Sequence, residues 1–362
     1  MADSKVASPT HSPQWYEDSL QLTSVPLAPS IRSKLQNAGF VSVRDVKGAR
    51  GPIDLARETG LTNAEASEVI KALRLGIEGT ALAGAKSASE ILYEESRKLA
   101  VFTFSKDLDD LLGGGVAVGE ITELCGCPGI GKTQACMQLC VSVQMPGAFG
   151  GYEGSAVYID TEGSFMAERA KEVAQATVSH LVSISQFLPK HLSESGALSQ
   201  FTVNEILDRV HLFRCHEITE LLAVVESLPM YVRAHGVKLV VIDSMAFHFR
   251  QDFKDMALRT AILAKMTTQL LNLAKSEHLA VVSVNQITVK PDPASGVARL
   301  VPALGESYAH GCTTRVILSW ESDRRMAYLF KSPRLPRGKA KFTVTNGGIR
   351  DVRGMKRQVD LK

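Results

Sequence analysis

One eight-residue run, Gly126-Cys-Pro-Gly-Ile-Gly131-Lys132-Thr133, constrains this chain more than any other feature. It has the spacing G-x-x-x-x-G-K-[ST], and both flanks suit it. Ile121–Cys125 is a short apolar run of strand type. From Thr133 onward, Cys136, Leu139, Cys140 and Val143 recur on one side of a helix. In a strand–loop–helix unit, glycines let successive backbone N–H groups converge on an anion, and the helix N-terminus adds partial positive charge. A lysine there reaches the outer phosphates, and the Thr hydroxyl is a ligand for Mg²⁺. The spacing predicts a polyphosphate cradle formed by Gly126, Pro128, Gly129, Ile130, Gly131, Lys132, Thr133 and Gln134. A mere glycine-rich turn ahead of a core helix would not need the Lys-Thr pair.

At 362 residues, the chain is long enough for a large domain and a smaller one. No apolar run reaches membrane-spanning length, so no membrane partner is expected. Met1–Gln14 is polar, without the apolar core of a secretory signal. The six cysteines lack C-x-x-C spacing, and several lie in apolar stretches. They read as core residues of a protein in a reducing compartment, cytoplasm or nucleus. Net charge is only +3, yet Lys331–Lys362 holds ten Lys/Arg against two Asp. That stretch is either a phosphate-contacting surface or a solvated tail.

The pattern divides into residues 1–14 without expected structure, a helical domain over 15–79, a linker over 80–100, a core over 101–350 and a basic tail over 351–362. In the helical domain, Ser30 is the expected N-cap of a helix stopping at Gly39. Thr62 and Glu65 form a capping box for a helix through Leu73. Glycine turns between short helices give a helix-hairpin-helix-like module, a shape that serves DNA backbone or protein docking equally. From Val101, apolar runs at Ala156–Ile159, Val210–Phe213, Leu239–Ile242, Leu279–Val284 and Val316–Leu318 alternate with amphipathic helices such as Leu258–Ala274. Met326–Phe330 and Lys341–Val344 read as antiparallel edge strands. The expected class is α/β, with a mostly parallel sheet between helix layers.

Three strand ends carry further chemistry. Val240-Val-Ile-Asp243 ends in a carboxylate suited to support Mg²⁺. Asp160 and Glu162 end another strand; Glu162 is the candidate base for an attacking water, with helix capping as its alternative role. Asn285-Gln286 ends a third, where Gln286 is placed to sense a terminal phosphate. The segment Ile287–Tyr308 reads as a long loop, either functional or disordered. No Asn-Lys-x-Asp follows, which favours ATP over GTP.

Together these residues resemble the RecA-like recombinases of eukaryotes and archaea from about residue 20 onward. The matching marks are Leu111–Gly115, Gly126–Gln134, Tyr158–Phe165, Val240–Ser244, Asn285-Gln286, His310–Arg315 and Lys331–Pro333. Leu300–Ser307 and Glu162–Met166 are most like the C-type accessory paralogues of that family. The resemblance implies a RecA-like ATPase core with a small N-terminal helical domain, and ATP and Mg²⁺ as cofactors. Lys132, Thr133 and Asp243 would serve phosphate and metal, Glu162 the water and Gln286 the γ-phosphate. Arg169 would stack on adenine, and Pro333 and Pro336 would cover a neighbouring subunit's ATP. Two DNA-facing segments would bring Arg250 and Arg259, and Lys290 and Arg299.

The resemblance further implies a nuclear protein, also present in cytoplasm, acting in recombination and double-strand break repair. Other recombinase paralogues and the strand-exchange recombinase would be its partners, with single-stranded or branched DNA. Two departures bear on assembly. The linker's best match to the recombinases' Phe-x-x-Ala motif is Ala85-Lys-Ser-Ala88, without the aromatic anchor, which favours a short hetero-oligomer over a long self-polymer. The segment Lys331-Ser-Pro-Arg-Leu-Pro336 is basic where the strand-exchange enzyme tends to be acidic. Two readings stay open: a slow DNA-dependent ATPase assisting filament assembly, and an interaction scaffold in which ATP only stabilises subunit interfaces. Val182–Phe201 has no assigned role.

Overall fold

The computed structural model describes residues 21–25, 27–49, 51–79, 87–96, 100–187, 198–250, 253, 255–291 and 298–352. The expectation for residues 1–14 and nearly all of the basic tail lie outside these. The chain forms two units, dividing between Ser96 and Arg97.

In the first unit, helices Pro29–Asn37, Val43–Gly48, Pro52–Thr59 and Asn63–Gly79 surround Leu22, Ile31, Leu35, Val43, Leu55 and Val69. Ser30 is not the N-cap. Pro29 occupies the first turn and Ala28 the cap, because proline's preset φ and missing N–H suit the first helical position. Gly39, at φ 84, ends the turn as expected. The Thr62 box is present: Glu65 N donates to Thr62 Oγ1 at 3.2 Å, and Thr62 N to Glu65 Oε2 at 2.8 Å. Its helix passes Leu73 to Gly79, since the lone interior Gly76 costs only about 1 kcal/mol. Within the expected linker, Ala88–Ser96 is helical. Ser87 and Glu90 close its first turn through Ser87 N to Glu90 Oε2 (2.7 Å) and Glu90 N to Ser87 Oγ (3.2 Å).

The second unit is an α/β domain. Its strands are β1 (Ala100–Val101), β2 (Val116–Ala117), β3 (Ile121–Gly126), β4 (Ser155–Asp160), β5 (Val210–Arg214), β6 (Val237–Asp243), β7 (Ala280–Pro291), β8 (Ala298–Pro302), β9 (Thr314–Glu321), β10 (Arg324–Lys331), β11 (Gly338–Thr345) and β12 (Gly348–Arg350). β1 and β2 pair with each other. The large sheet runs β12-β11-β10-β9-β3-β7-β6-β4-β5, with β8 folded back on β7. From β9 to β5 all pairs are parallel; β9 to β12 are antiparallel.

Every residue of β3 and β4 is buried, which is why these strands read as unbroken apolar runs. One face packs against helix Lys132–Ser142 through Cys136, Leu139 and Cys140. The other packs against helices Ile218–His235 and Met256–Ser276 through Leu221, Val225, Leu263 and Met266. Parallel pairing places the C-terminal tips of β3, β4, β6 and β7 at one edge, and the phosphate-loop run leaves β3 there.

The long loop expected at Ile287–Tyr308 is largely regular structure. Ile287–Pro291 and Ala298–Pro302 pair antiparallel, and helix Gly305–Gly311 follows. Alternating Ile287, Val289 and Leu300, Pro302 carried a weak strand signal that the glycine and prolines between them masked. Of the unassigned segment, helix Ala167–Ser185 takes the start and Phe201 is buried at its end.

Candidate nucleotide-binding site

β3 delivers its chain into the loop at Gly126, and the helix opens at Lys132. Gly126 and Gly131 are required sterically. A Cβ on Gly126 would lie 2.8 Å from Ile130 Cγ2 and 2.9 Å from the Leu318 carbonyl oxygen. Gly131 sits at φ 112, and its Cβ would meet Val344 at 3.1 Å. Lys132 folds back over the loop, its Nζ donating to the carbonyls of Gly126 at 2.8 Å and Cys127 at 3.0 Å. Burial pulls its ammonium below the ordinary value, and the Asp243 carboxylate pulls the other way. A partly desolvated cation hinged over a ring of backbone N–H groups is what a polyphosphate site needs.

Asp243, at the tip of β6, is buried. Its Oδ2 accepts from Thr133 Oγ1 at 2.6 Å and Tyr158 Oη at 2.7 Å. Burial raises its pKa; the Thr133 and Tyr158 hydrogen bonds oppose that. The cluster of carboxylate and hydroxyl oxygens is a hard donor set suited to Mg²⁺. Tyr158 was absent from the expected site. Its signal was faint: a polar aromatic two residues before Asp160, on a strand whose neighbour in the sheet carries Asp243.

The two carboxylates after β4 divide their roles. Asp160 is the turn's acceptor, receiving the N–H of Ser164 at 3.0 Å and Phe165 at 3.1 Å. Glu162 is exposed and its Oε1 accepts from Ser244 Oγ and, at 2.7 Å, from Gln286 Nε2. Neither carboxylate caps the next helix, whose N-cap Met166 carries no side-chain hydrogen bond; Asp160 holds the turn and leaves the Glu162 carboxylate free of it. Thr161 locks the β4 and β6 tips together: its Oγ1 donates to the Ser244 carbonyl and the Ser244 N–H donates back, both at 2.8 Å.

Beside β7, within the same sheet, lies an arrangement that the sequence did not announce. Glu123 in β3 is fully buried, its carboxylate taking Asn285 Nδ2 at 2.7 Å and Arg315 Nε at 2.5 Å. It braces β7 one residue before Gln286. The cross-strand partnership was invisible without knowing that β7 and β9 flank β3.

Other expected site residues are distributed differently. Arg169 lies beside the loop, anchored by Gln134 Oε1, Glu172 and the carbonyls of Thr345 and Asn346. Pro333 and Pro336 are exposed in the turn after β10, at the sheet edge opposite this chain's phosphate loop, where Arg334 pairs with Glu120 at 3.3 Å. Antiparallel β10 carries the chain away from the loop, so neither proline meets this chain's own site. Arg250 was expected to face DNA; its guanidinium donates to Gln286 Oε1 instead, at the rim of the phosphate site. Arg259 Nε is committed to the Phe249 carbonyl at 2.7 Å. Lys290 and Arg299 face each other in the β7–β8 register; their side chains lie outside the described residues.

A strand–loop–helix unit, a buried carboxylate at the β6 tip and a hydrogen-bonded glutamine–glutamate pair flanking it are now in place. A family model described as Rad51 matches residues 94–182 and 179–352. The chain belongs to the Rad51 family. It is 43% identical over 341 residues to a Cricetulus griseus protein described as DNA repair protein RAD51 homolog 3, covering 92% of each chain. The Dictyostelium discoideum protein of the same description is 39% identical over 253 residues, spanning 70% of this chain and 65% of that one. The DNA repair and recombination protein RadA of Aeropyrum pernix is 32% identical over 335 residues, 91% of this chain and 96% of its own. The resemblance read from the motifs and the RecA-like α/β class both hold. This is a paralogue-type member of a family of DNA repair and recombination proteins. Among the described residues, no helix is long and apolar enough to cross a membrane.

Proposed function

We propose that this protein is a DNA-dependent ATPase subunit of a nuclear recombinase-paralogue assembly, binding ATP and Mg²⁺ and assisting recombinase loading on single-stranded DNA. The observation that carries the reading is the meeting of Thr133 and Tyr158 on Asp243, directly beside a lysine folded over the loop. The loop N–H groups and Lys132 would hold the phosphates, and Thr133 with Asp243 would hold Mg²⁺. When bound, the metal neutralises charge developing on the transferred phosphoryl group. Glu162 orients and deprotonates the attacking water. Gln286, hydrogen-bonded to Glu162 at 2.7 Å, carries the state of that carboxylate into the β7–β8 hairpin, the candidate DNA-facing element together with Arg250, Arg259, Lys290 and Arg299. Arg169 lines the base side of the loop. Pro333 and Pro336 face outward, where they would cover a neighbour's nucleotide in a hetero-oligomer.

Glu162→Gln is the deciding variant, because it keeps the hydrogen-bonding shape and removes the base. Nucleotide affinity is expected to persist while turnover falls by about 10²-fold or more. Turnover unchanged in Glu162→Gln sinks the catalytic role. Normal assembly and DNA loading without turnover would favour the scaffold, a reading supported by the two hydrogen bonds that already occupy Glu162 Oε1.

A further inference from the structure

A cleft of about 860 Å³ opens beside β10, β11 and β12, and none of the residues assigned above to phosphate, metal or the attacking water lines it. Its walls carry the guanidiniums of Arg324, Arg325 and Arg350. Arg325 lies over the Trp320 ring, 4.5 Å from its centroid, with Nε on the Ile130 carbonyl at 3.1 Å. Arg350 lies over Phe104 at 5.1 Å. Among the described residues its hydrogen bonds go to two neutral acceptors, Gln138 Oε1 at 3.2 Å and the Ile349 carbonyl at 2.6 Å. Arg324 is exposed and stands 4.0 Å from Asp323. The carboxylate beside Arg350, Asp351, is already engaged by Ser105 Oγ and, at 3.0 Å, by the Asp107 N–H. Among the described residues, Arg325 and Arg350 have no ion-pair partner, and the three guanidiniums outnumber the two carboxylates of the lining.

Phe104 adds an independent observation. It sits at φ 65, a region a bulky L side chain rarely adopts. Such residues persist where their surroundings over-determine them, and they cluster at ligand sites. Here the constrained backbone sets an aromatic ring against Arg350.

We propose that this cleft is a docking site for an acidic peptide segment of a protein partner. Guanidiniums held against aromatic rings keep their remaining donors for carboxylates, which they can grip two bonds at a time. The volume lies in the range that takes a few side chains. Asp323 and Asp351 also line the cleft. They would repel a continuous run of phosphates, whereas single Asp or Glu side chains fit between them. The chain's own continuation, Arg353-Gly-Met-Lys-Arg357, has the same sign as the cleft and does not suit it. The cleft adjoins the phosphate loop through Arg325 on the Ile130 carbonyl, but the inference does not depend on the nucleotide reading.

Anisotropy of a fluorescein-labelled peptide alternating Glu and Ser, titrated with the full chain, tests the proposal. A Lys/Ser peptide and a single-stranded oligonucleotide serve as comparisons. Saturable binding of the Glu/Ser peptide is expected, with none for the Lys/Ser version. Arg324→Glu, at an exposed position that does not threaten the fold, should weaken it about tenfold or more. Arg350→Gln should weaken it similarly, while Lys265→Glu on a distant exposed helix face should not. Absence of peptide binding overturns the proposal, as does an equal loss in Arg324→Glu and Lys265→Glu. A loss of oligonucleotide affinity in Arg324→Glu with the peptide unaffected would assign the cleft to nucleic acid and overturn it as well.

Discussion

The two units of this protein use their polar side chains in opposite ways. In the N-terminal helical unit, Ser42 with Asp45 and Thr62 with Glu65 close exposed helix ends, and Lys34 bridges to Glu65 at 3.0 Å in partial exposure. The two boxes satisfy orphan N–H groups at the helix start, and all three interactions cost little desolvation. In the core unit, Glu123, Arg315, Asn285 and Asp243 are carried into the sheet itself. Burying such groups is expensive unless they are paired, and the pairing here is incomplete: Asn285 Oδ1 and Arg315 Nη2 have no partner among the described residues. The helical unit places charge where it stabilises local structure. The core holds charge where it strains the structure, beside the strand tips at which nucleotide chemistry is proposed. Asp243, whose pKa burial raises, is the kind of group that concentrates at functional sites.

The sharpest way to break this contrast is Glu123→Leu. It leaves Arg315 buried without its partner and should destabilise the core by about 3–5 kcal/mol. Denaturant unfolding measures it; a loss below about 1 kcal/mol would place the pair with the surface ion pairs of the helical unit. Next in size is Lys132→Ala, which removes charge-assisted contacts of about 1.5–3 kcal/mol each. Nucleotide affinity, read by calorimetry, should drop at least about tenfold with the unfolding midpoint of the free protein nearly unchanged. Thr62→Ala should cost about 1 kcal/mol, confined to the helical unit, and nucleotide affinity should not move. A shifted affinity would mean that the two units do not divide their roles as drawn.

The smallest expected effect is one of sign. Asp45 is held below its ordinary value by the N–H groups of Ser42 and Val41. Its contribution is present at neutral pH and fades as pH falls below about 4. Asp109, in the core, is pushed up to about 6, chiefly by burial and against the hydrogen bonds from Thr103. Its contribution favours the folded state in acid and is lost as pH rises through about 6. Stability profiles of Asp45→Asn and Asp109→Asn should therefore depart from the parent in different windows and with opposite slopes. Coincident profiles would remove the electrostatic half of the comparison.

What could be read from residues alone was local or periodic. The phosphate loop needs only its own eight residues, and the central strands announce themselves by unbroken hydrophobicity. Thr62 with Glu65 forms its box within one helical turn. The same Ser-to-Glu spacing at Ser87 and Glu90 marks the Ala88–Ser96 helix inside the linker. Ser30 lost the cap position to Ala28 because two neighbouring start signals compete and Pro29, with its fixed φ, prevails as the first helical residue. The β7–β8 hairpin escaped notice because its arms are joined by turn residues that resemble an unstructured loop.

Side-chain partnerships across strands were of another order. Tyr158 on Asp243, Glu123 between Asn285 and Arg315, and Arg250 on Gln286 each join positions far apart in the chain. Nothing in their local spacing records which strand lies beside which. Sequence alone determined that this chain builds a phosphate cradle on a buried parallel sheet, because backbone geometry and hydrophobic burial are set by near neighbours. Only the tertiary structure decided which carboxylate braces, which holds a turn and which stays available, because hydrogen bonds reach about 3 Å and strand order alone brings those groups within that distance.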